Sequence, residues 1–431
     1  MTEIIQIIYS VFFLTIFFLF PLNKFFLIFI TNNKGFNNTD VISINFIIHF
    51  FFFFLISFSK INFYLYGYTI FTTSIIINIF LIKKNFDIKK TSLLDIISVI
   101  TLFGIVIQIA LTNRLEWDGL AHWLYKVQIF YQNGSVLDLK EVPMPSYPHL
   151  GSFVWAFFWK ISYLKYEYLG RFFYIFIYIV SILSLAKLLK DNFYSLIFFI
   201  VVTTLTLDFY LFGGYQEYLL FSILSIFTRF FFFSENKYKK KNYLYIILFN
   251  LICFIIPWVK QEGEFYALFL FILVIFKKEF TKKNKLLFSF VFFLSIIAWY
   301  IIESNIKGHI AYQLPLNRDN YLSKYKDVMI IIETFAYITL HIFKVMIRYP
   351  LWILIIIFGF LYFKKNNFNE NMKLIILFFI MNFSLLYAIY FWIPVDYIFS
   401  LQTSLFRLML HTIGFYSVIL IIFLKKIQKE K

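Results

Sequence analysis

The chain has 431 residues, of which 61% are hydrophobic and 24% aromatic, and its formal net charge is +17. A soluble domain cannot bury so much apolar surface, because the buried fraction is limited by the ratio of surface to volume. The apolar residues also fall in continuous runs near the ~20 residues that cross a bilayer, without the alternation of a β-barrel. The composition therefore excludes a soluble protein and predicts an all-α, polytopic membrane protein.

The hydrophobic runs predict about 12–14 transmembrane helices in chain order. We place them at 4–22, 41–59, 62–82, 93–112, 148–164, 168–187, 192–212, 218–233, 242–259, 263–276, 286–303, 349–363, 374–393 and 408–424. The first run lacks a small-residue cleavage signature and is interpreted as a retained anchor. Four regions follow: N-terminal helices of unknown role (1–92), a transmembrane core (93–303), an outer segment (304–348), and C-terminal helices with a basic tail (349–431).

The lysines are concentrated in short loops, and this asymmetry predicts the orientation of the chain. Clusters occur within 83–90, 237–241, 277–285, 364–373 and 425–431. The positive-inside rule places these clusters in the cytoplasm, so no nucleic-acid partner is needed to explain the net charge. It places 113–147, 260–264, 304–348 and 394–407 outside. We expect a multi-pass protein of the plasma or inner membrane whose site faces the exterior or periplasm. The single cysteine, Cys253, excludes a disulfide within the chain.

Helix parity is not satisfied between the outer loop 113–147 and the lysine-rich loop that follows residue 233. Four apolar runs connect them, whereas opposite sides require an odd number. We expect that one run, 192–212, is re-entrant or broken, which is tolerated where backbone lines a cavity.

Two segments have the pattern of amphipathic helices at the outer surface. In 118–131, Asp118, His122 and Lys126 recur every four residues, and an apolar set falls on the opposite side: Leu120, Trp123, Leu124, Val127 and Tyr131. In 327–348, charged residues interrupt an apolar run.

Charged and polar residues beside the predicted spans mark candidate sites, because such groups are costly in a membrane. Four separate outer segments carry them: Asp118, His122, Lys126, Tyr147 and His149; Glu217; Lys260, Glu262 and Glu264; and Arg407. Simpler structural interpretations are a helix N-cap for Asp118, lipid contact for Lys126, a helix start at Tyr147 and a local pair between Lys260 and Glu262. Arg171, Asp208 and Arg229 are expected to make structural pairs or to extend toward the membrane surface. Asp118, Glu217 and His122 are a possible divalent-ion set, but we predict no metal site.

Four motifs in this order resemble those of GT-C-type integral membrane glycosyltransferases, over roughly residues 93–410. The stretch EWDGLAHWLYK at 116–126, followed by YPHLG at 147–151, is similar to their first outer loop. GYQE at 214–217 resembles their Gly-Tyr-acid pattern, with Glu217 where Asp is usual. KQEG at 260–263 resembles a Lys-x-Glu-Gly turn, and SLFR at 404–407 a Ser-x-x-Arg step. The relatives include protein mannosyltransferase-like and aminoarabinose-transferase-like enzymes.

The resemblance implies transfer of a sugar from a polyprenyl-phosphate donor to a hydroxyl of a cell-surface glycan, lipid or protein. It implies Asp118 and Glu217 as catalytic residues, with Asp118 the general base. Binding roles fall to His122, Lys126, Tyr147, His149, Lys260, Glu262 and Arg407. Direct displacement would invert the anomeric centre, and no organic cofactor is expected.

Two other functions fit the same composition. A transporter or lipid-linked sugar flippase also carries charges within the membrane, but we find no repeated halves. A polysaccharide polymerase or ligase shares the lipid-linked donor, and the segment 304–348 is long enough to leave this alternative open.

Overall fold

The computed structural model describes residues 2–31, 36–82, 92–142, 145, 147–233, 243–306, 328–365, 370–392 and 397–430. Every regular element in these ranges is helical. The α-helices are α1 (Thr2–Phe17), α2 (Lys24–Thr31), α3 (Asn38–Ile56), α4 (Phe63–Ile82), α5 (Leu93–Thr112), α6 (Leu124–Tyr131), α7 (Leu150–Ile161), α8 (Glu167–Ala186), α9 (Asn192–Thr206), α10 (Glu217–Phe233), α11 (Tyr243–Ile255), α12 (Gly263–Phe276), α13 (Lys282–Ile306), α14 (Val328–Arg348), α15 (Leu351–Lys365), α16 (Glu370–Trp392) and α17 (Tyr397–Glu430). The lysine clusters at 83–90 and 237–241 lie outside the described residues.

Eight helices within the described ranges are long and apolar enough to cross a membrane, by length and composition. They are α3, α4, α5, α8, α13, α14, α16 and α17. Most of the other predicted spans correspond to shorter apolar helices of 10–17 residues. The chain is therefore a multi-pass α-helical membrane protein, while the predicted 12–14 full spans exceed the eight of sufficient length.

Helix α5 begins and ends at local sequence signals. The Ser92 side chain accepts from the backbone N–H of Asp95, and Asp95 accepts in return from the backbone N–H of Ser92, which forms a capping box. Asn113 ends the helix in the left-handed region with φ 41°. The chain leaves α5 at this residue and enters the loop that carries Asp118.

The two ends of the bundle are identified by contacts of α8. At the end that we call the loop end, Arg171 Nη1 donates to the carbonyl oxygens of Arg114 and Phe212 at 3.0 and 2.9 Å. At the opposite end, the lysine end, Lys187 pairs with Asp95 at 2.6 Å. Helices α5 and α8 therefore run in opposite directions between the two ends.

Helix α7 does not cross the bundle. It has 12 residues, a length of about 18 Å against a hydrocarbon core of about 30 Å. Just before α7, the carbonyl oxygen of Tyr147 accepts from Lys126, and near its end Lys160 donates to Asn133 Oδ1 at 2.7 Å. Both ends of α7 thus lie against the loop that follows α5. Helix parity is satisfied without α7, because α8, α9 and α10 supply three crossings.

The expected break in 192–212 is confirmed, and the two parts of this segment together lead from the lysine end to the loop end. Helix α9 starts just after Lys187 at the lysine end and stops at Thr206. A 3₁₀ turn, Phe209–Phe212, continues to the loop end, where Phe212 contacts Arg171.

A buried ion pair joins the N-terminal helices to the rest of the bundle. Asp40 in α3 is fully buried and accepts from Arg229 in α10 at 2.9 and 2.8 Å. Ser184 in α8 donates to the same carboxylate at 2.7 Å. The expected structural pairing is confirmed for Arg229 and also for Arg171 with Glu167.

Helix α14 lies across the loop end. Thr339, in the middle of the helix, bonds to Tyr387 in α16 at 2.8 Å, and its last residue, Arg348, lies 3.9 Å from the ring of Phe406 in α17. Tyr387 and Phe406 are at similar depth, because α16 and α17 form an antiparallel hairpin. Helix α14 thus contacts α16 and α17 near the loop end.

Candidate functional site

A π-helical turn at Gly119–Trp123 changes which side of the predicted 118–131 helix is buried. The wider turn rotates the following residues relative to Asp118. Of the predicted apolar side, Trp123 and Val127 are buried but Leu120 is 48% exposed, and Lys126 of the predicted polar side is buried as well. The helix forms as predicted, but the predicted separation of its polar and apolar faces is wrong.

Lys126 and His149, both predicted to bind substrate, hold the loop to the bundle. Lys126 is fully buried, and its Nζ donates to the carbonyl oxygen of Tyr147 at 2.5 Å. His149 Nε2 bonds to Ser57 Oγ, at the end of α3, at 3.1 Å. Burial lowers the pKa of Lys126 well below its ordinary value. Burial, together with the charge of Lys126, lowers the pKa of His149 to about 3. These contacts indicate a structural role for both residues.

Glycines bring the loop that carries Asp118 against the start of α10. Gly214 adopts φ +99°, a conformation that favours glycine. The backbone N–H of Glu116 donates to the carbonyl oxygen of Gly213 at 2.9 Å. A Cβ atom on Gly119 would lie 2.3 Å from that oxygen. The GYQE motif therefore begins with the close backbone approach that places Asp118 near Glu217.

A second glycine shapes the turn that carries Lys260. The chain leaves α11 through a 3₁₀ turn, Ile256–Trp258, and re-enters the bundle at Gly263. A Cβ atom on Gly263 would lie 2.1 Å from the carbonyl oxygen of Ile256. The Gly263 N–H also donates to the carbonyl oxygen of Lys260 at 2.9 Å. This tight turn directs Lys260 toward α10.

Five charged side chains from four separate segments meet at the loop end. Arg407 of α17 donates through Nη1 to Asp118 Oδ2, and the same nitrogen lies 3.5 Å from Glu217 Oε1. Lys260 Nζ donates to Glu217 Oε1 at 2.8 Å and lies 3.4 Å from Glu262 Oε1. We call these five residues the ionic cluster.

The ionic cluster is partly open and carries a net charge of −1, from three carboxylates and two cations. The Glu217 side chain is fully buried, whereas Asp118 is 19% and Arg407 14% exposed. Burial alone would lower the pKa of Lys260, but Glu217 and Glu262 outweigh that effect and raise it. Within the described residues, Glu217 Oε2 and Arg407 Nε are buried without a hydrogen-bond partner. The contacts within the protein therefore leave one acceptor and one donor of the ionic cluster unsatisfied.

His122 and Tyr147 border the ionic cluster. The His122 ring meets the rings of Trp117 and Tyr147 edge-on, with centroids 5.0 and 5.3 Å apart. Burial lowers the pKa of His122, and the nearby Asp118 opposes this effect. Burial, together with the charges of Glu262 and Asp118, raises the pKa of Tyr147, and the charges of Lys260 and Arg407 oppose this effect.

Several residues around the ionic cluster were not predicted from the sequence. The ring of Tyr215 lies 5.1 Å from the guanidinium of Arg407. Deeper in the bundle, His411 Nδ1 lies 3.4 Å from the Tyr266 hydroxyl. His411 follows Arg407 by four residues in α17, so helical spacing places both on one face. That spacing was the available signal for His411, while Tyr215 stands inside the GYQE motif itself.

The residues considered for a divalent ion do not come together as a ligand set. The guanidinium of Arg407 bridges Asp118 and Glu217. His122 packs between aromatic rings instead. In the described part of the chain, no three His, Cys, Asp or Glu side chains are grouped closely enough to hold a metal ion.

The helices and the ionic cluster together define a multi-pass membrane protein with paired charges at one end of its bundle. Comparisons with protein-family models, with curated proteins and with solved structures found no match. The GT-C resemblance of the four motifs stays a prediction from the sequence.

Proposed function

We propose that this protein is a membrane glycosyltransferase of GT-C type. It would transfer a sugar from a polyprenyl-phosphate donor to a hydroxyl acceptor at the loop end, on the outer face of the membrane. The observation that supports this proposal is the ionic cluster. It combines a partly exposed carboxylate, Asp118, with two cations, Lys260 and Arg407, and these groups come from segments far apart in sequence. Acid–base chemistry beside an anionic leaving group needs this combination.

In the proposed reaction, the acceptor oxygen forms a bond to the anomeric carbon as the bond from that carbon to the phosphate oxygen breaks. The acceptor proton passes to the Asp118 carboxylate. The electron pair of the broken bond stays on the phosphate, whose charge Arg407 and Lys260 stabilise. The displacement passes through an oxocarbenium-like state and inverts the anomeric centre.

An apolar cavity of about 290 Å³ supports a lipid-linked donor. It lies between α11, α12 and α13, and Pro257 and Trp258 of the turn before Lys260 form part of its wall, opposite Trp299. A lipid chain in this cavity would therefore have its phosphate close to the turn that carries Lys260.

Mass spectrometry of surface glycans and lipid-linked sugars tests the proposal in cells. The strains would carry the wild type, Asp118→Asn, Asp208→Asn or a deletion, with protein amounts matched by blot. Asp208 is the control, because it also forms an ion pair at the loop end but with Arg348 at 2.6 Å. We expect one sugar to disappear from a glycan, lipid or protein in the deletion and in Asp118→Asn, and to persist in Asp208→Asn. Unchanged glycosylation in the deletion strain would refute the proposal.

A transporter is the second candidate, and buried polar groups below the ionic cluster favour it. Asn382 Nδ2 lies 3.4 Å from Thr412 Oγ1, and His411 and Tyr416 are fully buried in the same helix. Polar groups that continue toward mid-depth are typical of transport pathways. The same strains distinguish the two functions. If the protein is a flippase, its deletion would trap the lipid-linked sugar on the cytoplasmic leaflet. The Asp118→Asn variant would then leave the formation of the glycosidic bond unchanged.

A further inference from the structure

We propose that the donor phosphate displaces Asp118 from Arg407 and thereby releases the general base, so that the donor must bind before the acceptor can react. This inference rests on the proposed function, because it assigns an order to the two substrates at the same site. The observation behind it is the ion pair between Asp118, the proposed proton acceptor, and Arg407, which is proposed to bind the leaving phosphate.

Within the ionic cluster, the proposed base is paired with a cation proposed to bind the phosphate. Asp118 Oδ2 accepts from Arg407 Nη1, so a carboxylate occupies the position that a phosphate oxygen would take on the guanidinium. While Oδ2 accepts from the guanidinium, the carboxylate is held against Arg407 instead of being turned toward an acceptor hydroxyl. The enzyme is therefore poorly able to activate an acceptor hydroxyl until the pair opens.

Arg407 retains a donor that the protein leaves unpaired. Its Nε is buried and has no hydrogen-bond partner in the described part of the chain. A guanidinium offers five N–H groups in a fork that matches phosphate. A phosphate that replaces Asp118 on the guanidinium can therefore also accept from Nε, a bond that the Asp118 carboxylate does not make. The partial exposure of Asp118, 19%, allows its carboxylate to turn away.

Glu217 keeps the cations in place during the exchange. It is fully buried and holds Lys260 at 2.8 Å, with Arg407 Nη1 at 3.5 Å from the same oxygen. If Glu217 moved away from Lys260 and Arg407, its carboxylate would be an unpaired charge in the interior of the bundle, which is energetically costly. Asp118 is the more exposed of the two carboxylates on Arg407, and it is the one that a phosphate can displace.

Binding of farnesyl phosphate to the purified protein in nanodiscs tests the exchange. If Asp118 competes with phosphate for Arg407, then Asp118→Asn should bind farnesyl phosphate at least ~5-fold more tightly than the wild type, as expected for removal of a partly exposed competing ion pair. Asp208→Asn should bind like the wild type, and Arg407→Ala should lose at least ~10-fold in affinity because a charge-assisted contact is removed. Equal or weaker binding by folded Asp118→Asn would overturn the inference.

A second measurement uses only the wild-type protein, so misfolding of a variant cannot affect its result. Carboxylates are labelled with a carbodiimide and glycine ethyl ester, and the labelled peptides are quantified by mass spectrometry. Farnesyl phosphate should increase the labelling of Asp118 and leave that of Asp208 unchanged. A decrease, or no change, at Asp118 in the presence of saturating farnesyl phosphate would contradict the release of the base.

The outcomes separate this inference from the proposed function. Tighter binding by Asp118→Asn, in a protein that transfers no sugar, would support the exchange and reject the transferase. Sugar transfer by the wild type, with farnesyl phosphate binding unaffected by Asp118→Asn, would support the transferase and reject the exchange.

Discussion

At the residue scale, the sequence identified the charges of the ionic cluster but not their pairing. Asp118, Glu217, Lys260, Glu262 and Arg407 stand in motifs that could be read directly from the chain. The pairs themselves could not, because Asp118 and Arg407 are separated by 289 positions and meet through the tertiary fold. The expected local pair of Lys260 and Glu262 exists at 3.4 Å, but the shorter contact of Lys260 is with the distant Glu217.

The buried carboxylate of Glu217 makes Lys260 important for stability. Lys260→Met should lower the free energy of unfolding by about 2–4 kcal/mol, since it leaves a buried charge with a single, longer contact to Arg407. Thermal unfolding in detergent measures the effect. The double variant Lys260→Met with Glu217→Gln should recover part of the loss, because the unpaired charge is removed. Equal stability of the two variants would contradict this interpretation.

His149 should make the protein sensitive to acid. Its folded-state pKa of about 3 lies below the ordinary value of 6.5, because the residue is buried. The unfolded chain therefore binds a proton that the folded protein does not, and stability falls as the pH decreases from about 6.5 toward 3. At pH 5 the loss should be about 2 kcal/mol relative to pH 7.

The matching test compares wild type with His149→Gln in urea unfolding at pH 7 and pH 5. The variant should lose less stability between the two pH values, even though it starts lower because the contact with Ser57 changes. An identical loss in both proteins would show that His149 is not the group responsible.

At the element scale, hydrophobicity predicted where helices form but not which of them cross the membrane. The run 148–164 has the hydrophobicity of a span, yet α7 ends after 12 residues and lies against the loop that follows α5. The π-helical turn at Gly119–Trp123 likewise cannot be predicted from the spacing of apolar residues. Both features arise from contacts with other segments, such as Lys160 with Asn133, which a local pattern does not contain.

Alanine at Gly119 should separate the first loop from the start of α10. Its Cβ would lie 2.3 Å from the carbonyl oxygen of Gly213, and backbone would have to shift. We expect a loss of at least ~10-fold in sugar transfer, because small displacements of catalytic groups have large effects on rate. Gly104→Ala in α5 is the control, since no atom lies within 4 Å of its Cβ position. Equal activity of both variants would contradict the proposed role of this contact.

The path of α7 can be tested by labelling with a membrane-impermeant maleimide. The background is Cys253→Ala, and single cysteines replace the exposed residues Leu137, Tyr163 and Phe193. If α7 does not cross, positions 137 and 163 should be labelled from the same side, and position 193 from the other. Labelling of 137 and 163 from opposite sides would show that α7 spans the membrane.

At the scale of the whole molecule, separated segments form one site because each enters the loop end from a different part of the bundle. The lysine-rich loops predicted that these segments share a side, and the contacts of Arg171 and Arg407 bring them together. The sequence did not show that the N-terminal helices belong to the same bundle. Asp40 in α3 pairs with Arg229, 189 residues away, and Ser57 supports His149.

The central claim is that the ionic cluster catalyses transfer of a sugar from a polyprenyl phosphate, and one measurement tests it directly. Lipid-linked sugars extracted from the deletion strain would be incubated with purified protein and acceptor extracted from the same cells. Released polyprenyl phosphate and glycosylated product would be quantified together by mass spectrometry. We predict their release in equal amounts by the wild type, and a rate about 10²–10⁴-fold lower for Asp118→Asn, the usual contribution of a general base. Intact lipid-linked sugar after incubation with active, folded wild-type protein would contradict the account.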